Sequence, residues 1–313
     1  MIYTITPNPA LDLGGVVDEI VPDEKNYVHD ETRSPGGNGI NVARILTSLS
    51  TPVLATGFLG GGPGHEIRFL LDQEKVPHQF IEILGHTRTS VTVSNRKSHR
   101  QTRLSFPGPT LQSHEMNRLF QWVKDQKQAF AYVIGGSLPG QFSNSSLQEL
   151  IEVTKTKAKL VGVDVPGKIL KDAIRANPSF IKPNLTEFQE LVGKPVQTRA
   201  EVLHAAQDLL SHVPLICISS VEDGALLVTK ESSWYVCGPK IHVKSTVGAG
   251  DSMVGAIFSK FWEFQDQYPK YLGEIFKWGL AAAMATLSHP GTRLGNKSEM
   301  EFFYPQIRLE SVK

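Results

Sequence analysis

The sequence predicts an α/β fold: a central, mostly parallel β-sheet covered on both faces by helices, with a small second sheet beside it. Three observations carry this. From about residue 110 onward, amphipathic helical stretches alternate regularly with strand-like ones. The strand-like stretches are continuous apolar runs, as expected where both faces are buried. The segments near residues 14–33 and 88–106 instead carry many charges and alternate poorly, which suits a partly exposed sheet.

Ile2 to Thr6 reads as a strand ended by Pro7-Asn8-Pro9, with Asp12 directly after it. Val16-Val17 and the run to Val28 read as strands of the small sheet. Pro35-Gly36-Gly37-Asn38-Gly39-Ile40-Asn41 leads into a helix with Ile40, Ala43, Leu46 and Leu49 inward. Its glycines permit close backbone contact with a ligand, and Asn38 and Asn41 offer amides suited to hydroxyls. The same pattern suits a plain connection with an Asn cap. Val53 to Phe58 is a buried strand, and the glycines at 60–64 turn into a helix over His65 to Lys75. Val91–Ser94 and Thr102–Phe106 form a hairpin of the small sheet, with Thr87-Arg88-Thr89 at its entrance. Arg88 is placed either to grip a phosphate with two parallel bonds or simply to be solvated.

The regular part follows: helix Ser113–Gln128, strand Ala131–Ile134, helix Ser143–Lys155, strand Leu160–Val165, a short helix after Pro166, and strand Phe180-Ile181. Lys182-Pro183-Asn184 precedes a helix containing Glu187, and Thr198 with Glu201 forms a capping box for the next. Leu215–Ser219 is an apolar strand, and Ala225–Val228 with Trp234–Val236 suggests an antiparallel edge. Ile241 to Lys244 is a short β-compatible run. Thr246-Val247-Gly248-Ala249-Gly250-Asp251 then turns into a helix reaching Phe264, and a Gly- and Ala-rich helix spans Ile275–Leu287. Free N–H groups and the dipole at the helix start near Gly248 favour an anion. An aspartate beside such a nest repels the anion but is well placed to take a proton from an attacking hydroxyl. A capped helix after a glycine turn is the alternative reading of that stretch. Ligands of such sheets bind beyond the strand carboxyl ends, where Asp12, Ser137, Lys182, Ser219 and Asp251 would converge.

Composition narrows the function classes. Of 313 residues, 40% are hydrophobic and 20% charged, with a formal charge of +1. That balance gives no bulk pull toward nucleic acid or an anionic membrane. Cys217 and Cys237, the two cysteines, are too few for a disulfide framework or a cysteine zinc site and read as buried thiols. No apolar run approaches the ~18 residues of a spanning helix, and the start has no signal-peptide pattern, so a cytoplasmic protein is expected. The histidines show no metal spacing; His65, His99 and His289 read as surface or turn residues. Gly162 to Lys168 has Walker A spacing, but Ile169 stands where the Mg²⁺-binding hydroxyl belongs. Gly248-Ala249-Gly250 begins like a dinucleotide fingerprint, but Met253 replaces its third glycine. No Gly-x-Ser-x-Gly elbow appears.

The motifs that remain carry a resemblance. Asn8-Pro9-Ala10-Leu11-Asp12, Pro35 to Arg44, Gly136-Ser137-Leu138-Pro139, Lys182 to Glu187 and Ser245 to Ser252 occur in that order. In this the chain resembles, nearly end to end, the phosphofructokinase-B branch of the ribokinase-like sugar kinases. The resemblance implies a single three-layer kinase domain over 1–313, with a β-sheet lid from about 14–33 and 88–106. It implies ATP and Mg²⁺ as cofactors, a phosphorylated ketohexose as substrate, and a homodimer paired through the lid. Asp251 would be the general base, and the N–H groups following Gly248, those of Ala249, Gly250 and Asp251, would form the anion hole. Asp12, Gly37, Asn38 and Asn41 would hold sugar hydroxyls; Lys25, Arg88 and Ser137 would contact the substrate's phosphate. Asn184 and Glu187 would organise Mg²⁺ through water. Lys182, Ser219, Gly224 and Thr246 would line the nucleotide site. Asn38 stands where several relatives carry lysine, and Val221 where a glycine is common. A kinase for an unphosphorylated sugar or nucleoside, and a non-catalytic sugar-phosphate sensor, are the competing readings. Lys25 and Arg88 argue against the first, and Asp251 with the Asn184/Glu187 pair against the second.

Overall fold

The computed structural model describes residues 1–98 and 100–312, so the expectation for His99 lies outside the described residues. In chain order, β1 (Ile2–Thr6), β2 (Ala10–Val17) and β3 (His29–Gly36) precede α1 (Asn38–Ser48), β4 (Val53–Leu59), α2 (Gly61–Gln73) and β5 (Ile81–Glu82). The hairpin β6 (Arg88–Asn95) and β7 (Gln101–Ser105) follows, then α3 (Ser113–Asp125), β8 (Ala129–Gly135), α4 (Asn144–Lys155) and β9 (Ala158–Asp164). Next come α5 (Gly167–Ala173), β10 (Phe180–Ile181), α6 (Leu185–Val192), α7 (Arg199–Gln207), β11 (Leu215–Val221), β12 (Gly224–Val228) and β13 (Ser233–Cys237). The chain closes with α8 (Ala249–Phe264), α9 (Leu272–Leu287), α10 (Lys297–Phe303) and β14 (Arg308–Val312).

The strands form two sheets. The larger runs β14-β13-β12-β11-β10-β9-β8-β1-β4-β5, and the smaller runs β3-β2-β6-β7. From β5 across to β11 the large sheet is parallel; β12, β13 and β14 extend it antiparallel. The expected architecture is therefore present. Successive strand residues point to opposite faces, so Ile2 joins the core under α1, α8 and α9 while Tyr3 and Ile5 join the core under α3 to α7. Strand order reverses about β1, which has β4 on one side and β8 on the other. A crevice opens at the carboxyl ends of the strands around such a reversal.

Several local expectations are corrected. Ile241 to Lys244 is not a strand: the edge of β13 is already taken by β14, and the Lys244 N–H donates instead to Leu287 O at the end of α9. For the same reason Trp234–Val236 is an interior strand, and the final strand Arg308–Val312, which the sequence pattern did not announce, is the edge. Residues 18–28 are irregular rather than strands; with Asp18, Glu19, Pro22, Asp23, Glu24 and Lys25 among them, no face is apolar. The helix expected from His65 begins at Gly61, absorbing the glycines and Pro63 into its first turn, where a proline's missing N–H costs nothing. The helix from Ser113 ends at Asp125 rather than Gln128. The small sheet begins at Ala10, so Asp12 stands on that sheet rather than in a loop below it. Cys217 and Cys237 are buried free thiols, as expected.

Candidate active site

The crevice is a cavity of about 320 Å³ roofed by the small sheet. Two helices begin at it. α1 starts after Gly37 and α8 after Gly248, and neither has a side-chain cap. The same holds for α2, α5 and α9, whereas α4, α6, α7 and α10 are capped by Ser143, Asn184, Thr198 and Asn296. First-turn N–H groups without a cap can receive an external anion, although at α8 the Ala249 N–H already donates to Thr246 O at a long 3.5 Å. At α8 the turn exists because Gly248 has a φ of 77°, a conformation costly for any residue with a Cβ. A side chain there would also fall 2.5 Å from Leu294 Cδ2. Gly37 plays the same part at α1 with a φ of 116°.

Asp251 lies in the first turn of α8, 7% exposed, with its carboxylate on the cavity wall. Asn41 Nδ2 donates to its Oδ2 at 2.7 Å, leaving Oδ1 toward the cavity's contents. Burial, followed by the repulsion of nearby Asp164, pushes the Asp251 carboxyl up to about 7, against the opposing pull of Asn41 and Lys182. Such a value suits a group that takes and returns a proton near neutrality. Asp12 lines the same cavity from the small sheet; burial raises this carboxyl too, against the pull of Arg103, Arg88 and Arg44 and the neighbouring Ser90 hydroxyl. Asp12 thus adds a second acid to the lining of this cavity.

The cations are grouped. Arg88 donates from Nε and Nη2 to Asn8 O at 3.3 Å each, and Asn8 Nδ2 donates to Ser137 Oγ at 3.1 Å. Arg88, Asn8 and Ser137 thus form one braced unit at the ends of β1 and β8. Burial lowers the pKa of Arg88, with Asp12 acting in the opposite sense. Arg103, on β7, lines the cavity beside Arg88. On the opposite wall, Lys182 Nζ is 3.4 Å from Asp164 Oδ1, and both side chains are almost wholly buried. Burial works against the charge on Lys182, but the carboxylates around it, Asp164 foremost, outweigh that and keep the ammonium protonated. Asn38 Nδ2 donates to Asp164 Oδ2 at 3.3 Å.

Most of the residues singled out from the sequence meet here. Asp12, Gly37, Asn38, Asn41, Arg88, Lys182, Asn184, Glu187, Thr246, Gly248, Gly250 and Asp251 all line the cavity. Ala249 is the first residue of α8 and sits just behind this wall. Ser137 is joined through Asn8 rather than lining the wall. Ser219 bridges to Asn184, and Gly224 begins the next strand, so both lie beside the cavity, along the ends of β10 and β11. Lys25 does not reach it: the residue is exposed on the irregular 18–28 segment, its ammonium 4.9 Å from the centroid of the Tyr27 ring.

The Asn184/Glu187 pair has a structural task the motif did not disclose. Asn184 Oδ1 accepts from the Glu187 N–H at 2.9 Å, and Glu187 Oε2 accepts from the Asn184 N–H at 2.9 Å. This is a reciprocal capping box. It fixes Glu187 at the cavity with Oε1 left over, and burial raises its pKa. Among the described residues no cluster of three or more metal-ligating side chains occurs, and none is required by Mg²⁺. That ion keeps several waters and is held by one or two carboxylates plus substrate phosphates. Glu187 and Asp164, both on the cavity wall, fit that demand.

Sequence reasoning passed over Arg103, Asp164 and Asn8 as individual site residues. Arg103 sits in an alternating exposed strand with no motif, and Asp164 lay inside the rejected Walker-like stretch. The Asn8-Pro9 motif was legible, but its role as a strut appears only in three dimensions. Among the described residues, no helix is long and apolar enough to cross a membrane.

The family model described as "pfkB family carbohydrate kinase" matches residues 8–299. The chain is 33% identical over 314 residues to the 1-phosphofructokinase of Borreliella burgdorferi, covering 100% of this chain and 99% of the relative. It is 33% identical over 309 residues to the ATP-dependent 6-phosphofructokinase isozyme 2 of Escherichia coli, covering 98% of each. The crystal structure of phosphofructokinase-2 from Escherichia coli in complex with substrates and products superposes with a TM-score of 0.91 at 32% identity, over 97% of this chain and 98% of that one. With the match spanning nearly its full length, the chain belongs to the pfkB family and is a carbohydrate kinase of that family's phosphofructokinase branch.

Proposed function

We propose that the protein transfers the terminal phosphoryl group of ATP to a hydroxyl of a ketohexose phosphate, giving a bisphosphate and ADP. Fructose 1-phosphate, tagatose 6-phosphate and fructose 6-phosphate are the candidate acceptors. One observation carries the reading: a buried carboxylate, Asp251, stands in the first turn of an uncapped helix, on the wall of a cavity that also holds paired arginines.

Phosphoryl transfer demands positioning and charge neutralisation more than covalent chemistry. Asp12, Gly37, Asn38 and Asn41, which line the cavity, are assigned to the sugar hydroxyls. Arg88, Arg103 and the Ser137 hydroxyl are assigned to the phosphate the sugar already carries. Asp251 Oδ1 accepts the proton of the reacting hydroxyl as that oxygen bonds to phosphorus and the bond to ADP breaks. The N–H groups at the start of α8 receive the oxygens of the transferring group, with Lys182 beside them; a Cβ on Gly250 would lie 2.9 Å from Lys182 Nζ. Ser219, Gly224 and Thr246 are assigned to the nucleotide. Mg²⁺, when bound, neutralises phosphate charge; Glu187 and Asp164 would hold its water shell, with Asn184 fixing Glu187 through the cap. Lys25 receives no substrate contact within one copy of the chain.

The small sheet is proposed to act as a lid that excludes water, the competing acceptor. Leu104 on β7, Phe106 just beyond it, and Tyr27 and Val28 in the segment before β3 are exposed beside this sheet, an apolar set that suits pairing with the lid of a second copy.

ADP release measured across the three phosphosugars, fructose and a nucleoside tests the assignment. Turnover on one of the phosphosugars, at least ~10²-fold above the neutral compounds, is expected, the scale on which a buried charged partner discriminates. Faster turnover of a neutral compound overturns the substrate class. Binding of a phosphosugar without ADP release overturns the catalytic reading in favour of a sensor.

A further inference from the structure

Asn41 has two ends, and both are engaged by groups that leave it no choice. Its Nδ2 donates to Asp251 Oδ2 at 2.7 Å. Its Oδ1 accepts from Arg44 Nη1 at 3.2 Å. Arg44 lies one turn further along α1, its side chain 12% exposed. Its remaining edge is gripped by Glu74, with Nε to Oε2 at 2.6 Å and Nη2 to Oε1 at 2.8 Å. Glu74 is the C-cap residue of α2, so the grip is anchored on a second helix. A guanidinium only donates and an ionised carboxylate only accepts. The amide of Asn41 is therefore held in one orientation by the pair.

We infer that Arg44, braced by Glu74, is a positioning residue for the catalytic base: it locks the Asn41 amide so that its N–H always faces Asp251. The inference rests on Asp251 being the base. The lock matters most in mid-reaction. Once Asp251 has taken the sugar's proton it is a donor, and a free Asn41 amide would turn its oxygen toward the new acid and trap the proton. Arg44 forbids that turn, because the flipped amide would present N–H to a guanidinium. Asn41 thus keeps donating to Oδ2, and the proton stays on Oδ1, from which it is released. Asp164 on β9, Lys182 after β10, Asp12 on β2, Arg88 on β6, Arg103 on β7 and Glu187 on α6 also face this cavity; none of them touches the Asn41 oxygen, so the lock is separable from their field.

The test compares Arg44→Met with Arg68→Met, which breaks an ion pair to Glu82 elsewhere. Turnover and its pH profile are followed with the protein's best phosphosugar. Arg44→Met is expected to lower kcat about tenfold, the scale of one charge-assisted hydrogen bond, with KM for the sugar changed less than about twofold. The acidic limb of kcat against pH is expected to move upward by about half a unit or more, because an N–H facing a carboxylate favours its ionised form. Arg68→Met should leave both readings at wild-type values. Arg44→Met with wild-type kcat and an unmoved limb, whatever its stability, overturns the inference. Should Arg44→Met fail to fold, Glu74→Gln decides: a limb displaced in the same direction supports the lock, and an unmoved limb overturns it. Asp251→Asn run in parallel separates the two levels. If it retains turnover, the base assignment fails; if it is inactive while Arg44→Met is unaffected, the lock alone fails.

Discussion

Replacing Asp251 with asparagine should sharply reduce turnover and stabilise the protein, and the stabilisation should depend on pH in a defined sense. The carboxyl stands at about 7 in the fold against 3.8 ordinarily, a gap equivalent to about 4 kcal/mol. Burial is the main cause and Asp164 the next. A carboxyl raised in the fold is still protonated when the unfolded chain has already ionised. The folded state then holds the extra proton, so stability falls as pH rises from about 4 to about 7, and above that window the whole cost is present. Asparagine carries no such cost. Against it, Lys182 loses one of its neighbouring carboxylates, so the gain lies below the ceiling, at about 2–4 kcal/mol near pH 8. Near pH 4 wild type and variant should have closely similar stability. Urea unfolding of both proteins across that range, beside ADP release at neutral pH, reads both halves. Turnover should fall at least ~10²-fold. An Asp251→Asn variant that is less stable than wild type near pH 8 would falsify the account of a strained, ionisable base and make Asp251 a satisfied structural ion.

Two further perturbations address the rest of the site. Arg88→Ala should raise KM for the phosphosugar roughly 10- to 100-fold, as expected for a charge-assisted bond, with kcat changed much less; an unaltered KM in steady-state assays removes the arginine from the substrate's phosphate. Glu187→Gln keeps an oxygen for the cap of α6 but removes the charge. The Mg²⁺ concentration for half-maximal rate should rise about tenfold or more, while chelator abolishes transfer in the wild type; turnover in chelator would strip Glu187 of its assigned role.

The alternation of elements, the buried strands and the family were legible in the sequence because they depend on local properties. A strand buried on both faces must be apolar along its length, and a glycine turn into a helix start leaves the same mark wherever it occurs. Gly248 followed by Asp251 announced a helix start with an acid in its first turn, and both lie on the cavity wall. Pairing between distant segments left no such mark. Whether Ile241 to Lys244 became a strand depended on β14, far later in the chain, occupying the edge first. Arg103 and Asp164 joined the site because the small sheet folds over the ends of β9 and β10, a placement no spacing encodes. The Asn184/Glu187 motif looked like ligand chemistry alone until the reciprocal cap appeared. Residue types and periodicity thus determined which elements form and which groups hold reactive potential. Tertiary structure alone decided which groups share one low-dielectric cavity, and that shared burial is what moves the Asp251 carboxyl to where a base can work.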